Sequence, residues 1–187
     1  MLSIRLPGNE FFNEETSEFV TIPAQTIQME HSLISISKWE AKWKKSLLNS
    51  LEHGFDNRGM QVDYYRCMTI TQNVNPLLYV NIPRDVEQQI FDYINDPMTA
   101  TTFSQNGKET KKAGKRHKII TSEQIYAWMA GNYIPFECDK WHINRLLTLI
   151  RACSIENSPK DKMGKKATLS QNRELNAARR KALGTKG

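Results

Sequence analysis

Long apolar runs, cysteine and nucleotide-binding glycine motifs are scarce or missing in this sequence. The most apolar stretch, Leu146–Ile150, is held between Arg145 and Arg151, far short of the ~20 residues that a bilayer-spanning helix needs. The opening Met1–Pro7 gives way at once to an acidic stretch, so no secretory leader and no membrane partner are expected. Three cysteines in 187 residues, at positions 67, 138 and 153, form a sparse and odd set. They exclude a disulfide scaffold and point to a reducing cytoplasm. Neither G-x-x-x-x-G-K-[ST] nor G-x-G-x-x-G occurs, which removes the motif support for phosphate-loop and dinucleotide binding. No recurring carboxylate pair suggests general acid–base work. The expectation is a non-enzymatic protein with no cofactor.

What is present is charge, unevenly placed. Residues 158–187 hold nine Lys or Arg against Asp161 and Glu174, a net +7, and residues 108–118 hold six against Glu109, a net +5. The whole chain is only +6, so everything else is −6. An acidic body carries a basic loop and a basic tail, and those appendages suit nucleic acid or an acidic protein equally well. The candidate partner-binding cations are Lys111, Lys112, Lys115 and Arg116 in the loop, and Arg173, Arg179, Arg180 and Lys181 in the tail.

Patterning places the elements. Leu2, Ile4 and Leu6 alternate with polar neighbours, and Phe19–Ile22 and Thr26–Glu30 repeat the alternation. They predict about three antiparallel strands, with Gly8–Ser17 as an acidic turn. Ser37–Glu40 matches a capping box, which starts a helix carrying Trp39, Trp43 and Leu47 on one face. Further helices are expected at about 60–70 (Val62, Tyr65, Met68), after Pro83 (Val86, Ile90, Ile94), after the capping-box match Thr121–Gln124 (Ile125, Trp128, Met129), and at 137–153 (Ile143, Leu146, Leu147, Ile150, Cys153). Ser170–Leu183 reads as a marginal basic helix stopped by Gly184 that orders on a partner. The fold class is α+β: an N-terminal antiparallel sheet segment (1–31) packed on a mostly helical body (32–153, with a basic loop at 97–118), then a basic C-terminal extension (154–187).

Few residues suggest chemistry. Cys138 and His142, four apart on an expected helix, could share one metal ion, but Cys67, Cys153 and His117 are too scattered to complete a site. A Cys–His nucleophile pair has no local motif behind it. Trp39, Trp43, Trp128 and Trp141 all fall on amphipathic segments and read as core anchors, with a partner-facing aromatic patch as the alternative.

Four stretches together, His31–Glu40, Tyr65–Asn73, Ile134–Ile150 and Arg173–Gly187, resemble a group of small morphogenesis proteins from tailed bacteriophages of Gram-positive hosts. The chain departs from the group pattern at Thr102 and at Gly131–Tyr133, a loop and a helix end. The resemblance implies a tail assembly chaperone that keeps the tape-measure protein soluble in the host cytoplasm. It brings no catalytic residues. A structural neck or tail component of the virion, possessing a tail docked into an adjacent subunit, is the first alternative, and oligomers fit either role.

The second alternative is nucleic-acid binding through the loop and tail. It predicts a steep salt dependence: neutralising about five phosphates gives a log–log slope near −4.5. Deleting residues 158–187 should then abolish DNA retention in a salt-titrated filter or polarisation assay, and a flat salt profile would exclude this role.

Overall fold

The alternation at the N-terminus builds strand β1 (Leu2–Leu6), which pairs antiparallel with β4 (Gln25–Met29), Ile4 lying opposite Ile27. The computed structural model describes residues 1–14, 17–103, 119–157 and 165–184. Ile4, Leu6, Ile27 and Met29 turn their side chains into the core, as period-2 patterning demands. Between these strands run β2 (Asn9–Asn13) and β3 (Glu18–Ile22), a second two-stranded antiparallel ladder with Phe12 opposite Phe19. This corrects the expected turn at Gly8–Ser17 and the count of three strands. Strand β2 has its two phenylalanines side by side and no period-2 alternation, so patterning passes over it, while its ladder is made by backbone groups. Gly8 is required where β1 passes into β2, since a Cβ there would stand 2.7 Å from the Ile22 carbonyl oxygen.

Helix α1 (Leu33–Trp43) is capped by Ser32, not Ser37: the Ser35 N–H donates to Ser32 Oγ at 3.3 Å and the Ser32 N–H to Ser35 Oγ at 3.0 Å. Trp39 is fully buried and its indole N–H donates to the Met60 carbonyl at 2.8 Å. The helix ends at Lys44, in the left-handed region at φ 55°, so Leu47 opens α2 (Leu47–His53) instead of extending the Trp39–Trp43 face. Glu40, matched by sequence to a local capping box, has a long-range role. Its Oε1 accepts the Leu47 N–H at 2.9 Å and its Oε2 the Ser122 N–H at 2.7 Å. One buried carboxylate therefore caps two helices.

Helix α3 (Arg58–Met68), capped by Asn57, buries Met60, Tyr64, Tyr65 and Met68, while Val62 is half-buried. After it the chain returns to β4: the Glu30 N–H donates to Met68 O at 2.9 Å and the Ile70 N–H to Gln28 O at 2.8 Å. Helix α4 (Arg84–Asn95) follows Pro83 and buries Val86, Ile90, Tyr93 and Ile94. Helix α5 (Ser122–Gly131) buries Ile125 and Met129 but leaves Trp128 half-buried, and Thr121, at its N-cap position, makes no side-chain cap bond.

The single helix expected at 137–153 is two elements: a 3₁₀ segment at Phe136–Lys140 and helix α6 (Ile143–Asn157). The physical reason is a bridge between His142 and Ser32, in which the Ile143 N–H donates to the His31 carbonyl at 2.7 Å. The donor that would have continued the helix is committed elsewhere. Ile143, Leu146 and Ile150 of α6 are buried, whereas Leu147 and Cys153 are half-buried. The chain divides into units Met1–Ile155 and Glu156–Gly187, and the second contains helix α7 (Lys165–Leu183) followed by Gly184 at φ 63°. The fold is α+β, with two small antiparallel ladders and seven α-helices among the described residues.

Glu40→Ala should lower stability by about 2–4 kcal/mol in urea denaturation, because two buried N–H groups lose their acceptor, and Glu40→Gln should lose about half as much. Trp39→Ala should cost about 3–5 kcal/mol, against about 1 kcal/mol for Leu147→Ala at its half-buried position.

Candidate functional site

Three places could carry function: a buried polar cluster, a groove beside α4, and the basic helix. The cluster is a run of rings through the core. Trp39 meets Phe55 edge-on at 5.8 Å, Phe55 lies 6.5 Å from Tyr64, and Tyr64 meets His31 at 5.8 Å. His31 then meets His142 at 5.1 Å, and His142 meets Tyr93 at 5.0 Å, both edge-on. These contacts tie α1, α3 and α4 to the segments that follow β4 and precede α6.

Burial decides its protonation. His31 is pushed down to about 3 by desolvation, with His142 contributing, and burial raises Tyr64 well above the ordinary phenol range. Both are neutral, and the Tyr64 hydroxyl and His31 Nδ1 share a hydrogen bond. His142 is lowered by burial, against the opposing pull of the Tyr93 carbonyl. Its Nε2–H donates to Tyr93 O at 3.0 Å and its Nδ1 accepts the Asn144 N–H at 3.3 Å, which fixes the tautomer. Tyr93 in turn donates to Glu30 Oε1 at 2.5 Å. Every polar atom named here has an internal partner, so the arrangement narrows how the core can pack.

The sequence-derived metal and nucleophile candidates do not come together. His142 and Cys138 are not on one helix, both His142 nitrogens are engaged, and Cys138 is buried in the core. Burial raises the thiol of half-buried Cys67. His117 lies outside the described residues. Among the described residues no three His, Cys, Asp or Glu side chains gather as a metal site. No described helix is long and apolar enough to cross a membrane.

The surface offers more. A groove of about 380 Å³ runs between α2, α3 and α4, with Leu51, Phe55, Tyr65, Phe91 and Ile94 among its lining residues. Its polar rim is self-satisfied: Arg58 pairs with Glu87 and donates to Gln61 Oε1 at 2.9 Å, and Gln61 donates to Tyr65 Oη at 2.7 Å. Phe91, in contrast, is 60% exposed. A larger depression of about 830 Å³ beside α2 and the start of α5 is lined mostly by polar residues, several of them engaged with one another through the Lys45–Asp56 pair and the Glu40 caps. The groove beside α4 escaped sequence reasoning. Its signal was Phe91, an aromatic set directly after the core residue Ile90 on a helix whose buried stripe is complete without it.

Of the expected partner-binding cations, Lys111, Lys112, Lys115 and Arg116 lie outside the described residues. Arg173, Arg179, Arg180 and Lys181 stand on α7 and are exposed. Arg173 and Arg180, two turns apart, share a face, while Arg179 and Lys181 flank it at about 100° per residue. Of the four tryptophans, Trp39 alone is fully buried; Trp43 and Trp128 are half-buried, and Trp141 lies 37% exposed, with the Arg145 guanidinium 4.5 Å from its ring centre. The core-anchor reading therefore holds in full for Trp39 only. No protein-family model, curated protein or solved structure matches the chain.

The neutral His31 gives stability a pH dependence of known sign. Unfolding restores a histidine near 6.5 that takes up a proton, whereas folded His31 stays unprotonated down to about 3. Its contribution is complete above 6.5 and is lost as pH falls towards 3, at about 1 kcal/mol per pH unit. The difference between wild type and His31→Gln in urea unfolding should shrink by that slope from pH 7 to pH 4. An unchanged difference would show His31 to be protonated in the fold.

Proposed function

We propose that this chain is a non-enzymatic tail morphogenesis factor of a tailed bacteriophage, a tail assembly chaperone that binds an apolar helix of the tape-measure protein in the host cytoplasm. The observation that carries the reading is the α2–α3–α4 groove with its exposed Phe91. An amphipathic helix lays its apolar face into such a groove, and a large exposed aromatic at the edge of a closed polar rim is a natural anchor for it. The resemblance of His31–Glu40, Tyr65–Asn73, Ile134–Ile150 and Arg173–Gly187 to phage morphogenesis proteins supplies the biological setting. The basic loop and tail then set register against acidic segments of the client.

Nucleic-acid binding remains the second reading because of α7, whose 19 residues carry six Lys or Arg against Glu174. A structural neck or tail component would share the same surfaces yet persist in the particle.

Co-expression with the tape-measure protein should raise the soluble yield of that client, and Phe91→Asp should weaken the complex by about tenfold or more without lowering the chaperone's own stability. If the client is equally soluble alone, the proposal fails. Mass spectrometry of purified virions should not find a chaperone, and its presence at stoichiometric level would mark a structural component instead.

A further inference from the structure

The β2–β3 hairpin and α7 are complementary surfaces on one chain. Residues 9–22 contain four glutamates and no Lys or Arg. The ladder register sets Phe12 opposite Phe19 on one face, with their ring centres 5.2 Å apart. Glu10 and Thr21 share that face by the two-residue period and meet in a 3.4 Å hydrogen bond. Neither phenylalanine is covered: Phe12 is 54% and Phe19 72% exposed. Two adjacent exposed rings on an acidic two-stranded ladder are costly to leave in water and give nothing to the core.

Helix α7 shows the opposite charge with the same apolar character. Leu169, Arg173, Asn176, Arg180 and Leu183 recur at spacings of four, three, four and three, which puts them on one face about 21 Å long. Leu169 is 59% and Leu183 75% exposed, and the two arginines between them are exposed as well. A five-residue strand spans about 17 Å, so face and ladder match in length. Leucines suit the Phe12–Phe19 rings, and arginine guanidinium groups both stack on aromatic rings and pair with a carboxylate such as Glu10, which shares their face.

We infer that the Leu169–Arg173–Arg180–Leu183 face of α7 docks on the Phe12–Phe19 face of the β2–β3 hairpin of a second copy of this chain. The two surfaces are different parts of the molecule, so the contact is heterologous. Each copy carries one such hairpin and one such helix, and copies join head to tail into open chains or rings. The inference is independent of the client groove, which neither surface contains.

Sedimentation or light scattering of the full chain without any client tests it. The wild type should show a mass that rises with concentration. Arg173→Glu with Arg180→Glu should weaken self-association on the order of a hundredfold, and Phe12→Ser with Phe19→Ser, at exposed positions, should do the same without loss of folded structure by circular dichroism. A Glu10→Lys chain should also be weakened in self-association, and mixing it with the arginine-reversed chain should restore a complex. A wild type that stays monomeric at every concentration overturns the inference, and so does an assembly that all these substitutions leave intact. A monomer whose α7 amides lose hydrogen-exchange protection on Phe12→Ser/Phe19→Ser would show the helix seated on its own hairpin, which also overturns it.

Discussion

A single carboxylate fixes how two of the helices begin. Glu40 sits at the C-terminal end of α1 and accepts the first free N–H of α2 and of α5. Helix N-termini leave N–H groups without intrahelical partners, and a buried terminus must find acceptors elsewhere. By giving one oxygen to each, Glu40 ties together segments 82 residues apart in sequence. Ser46 reinforces the joint, capping α2 and donating to the Ile120 carbonyl at 2.6 Å. The sharp exit of α1 at Lys44 follows from the same arrangement, since only a turned chain brings Leu47 back to the Glu40 side chain.

The ring sequence from Trp39 to Tyr93 is the second organising element. Its members come from α1, α3, α4, the α2–α3 connection at Phe55 and the two segments at His31 and His142, so burying the rings also aligns these elements. Two neutral histidines in its middle exchange hydrophobic mass for directional bonds: His142 specifies Tyr93 and Asn144, and His31 specifies Tyr64. Satisfied buried polar networks narrow the set of packings a core can adopt.

The surfaces left over are of three kinds: an aromatic groove with a closed polar rim, an acidic ladder with exposed phenylalanines, and a basic helix with exposed leucines. A protein that carries all three has more apolar surface uncovered than its own packing requires. Client binding by the groove and self-association by the other two would let several copies coat one long partner.

The helix faces were legible in sequence because a 3.6-residue period concentrates apolar residues on one side: Val86, Ile90 and Ile94 in α4, and Ile143, Leu146 and Ile150 in α6, are buried as their spacing requires. The α+β class followed from the switch between periods 2 and 3.6. Element ends were not legible, because caps are chosen by competition. Ser32 with Ser35 outbids the Ser37–Glu40 match once Glu40 is needed at Leu47 and Ser122, and the His31 carbonyl takes the Ile143 N–H that would have joined Cys138 and His142 on one helix. Of the candidate site, the charge of the tail was plain in composition, while the groove and the hairpin were not. Phe91, Phe12 and Phe19 look like any core aromatics until partners are assigned. Sequence alone determined which residues want to leave water and where charge accumulates, since both are local properties. Only the tertiary structure decided which of those residues succeed, because burial depends on what arrives from the far end of the chain.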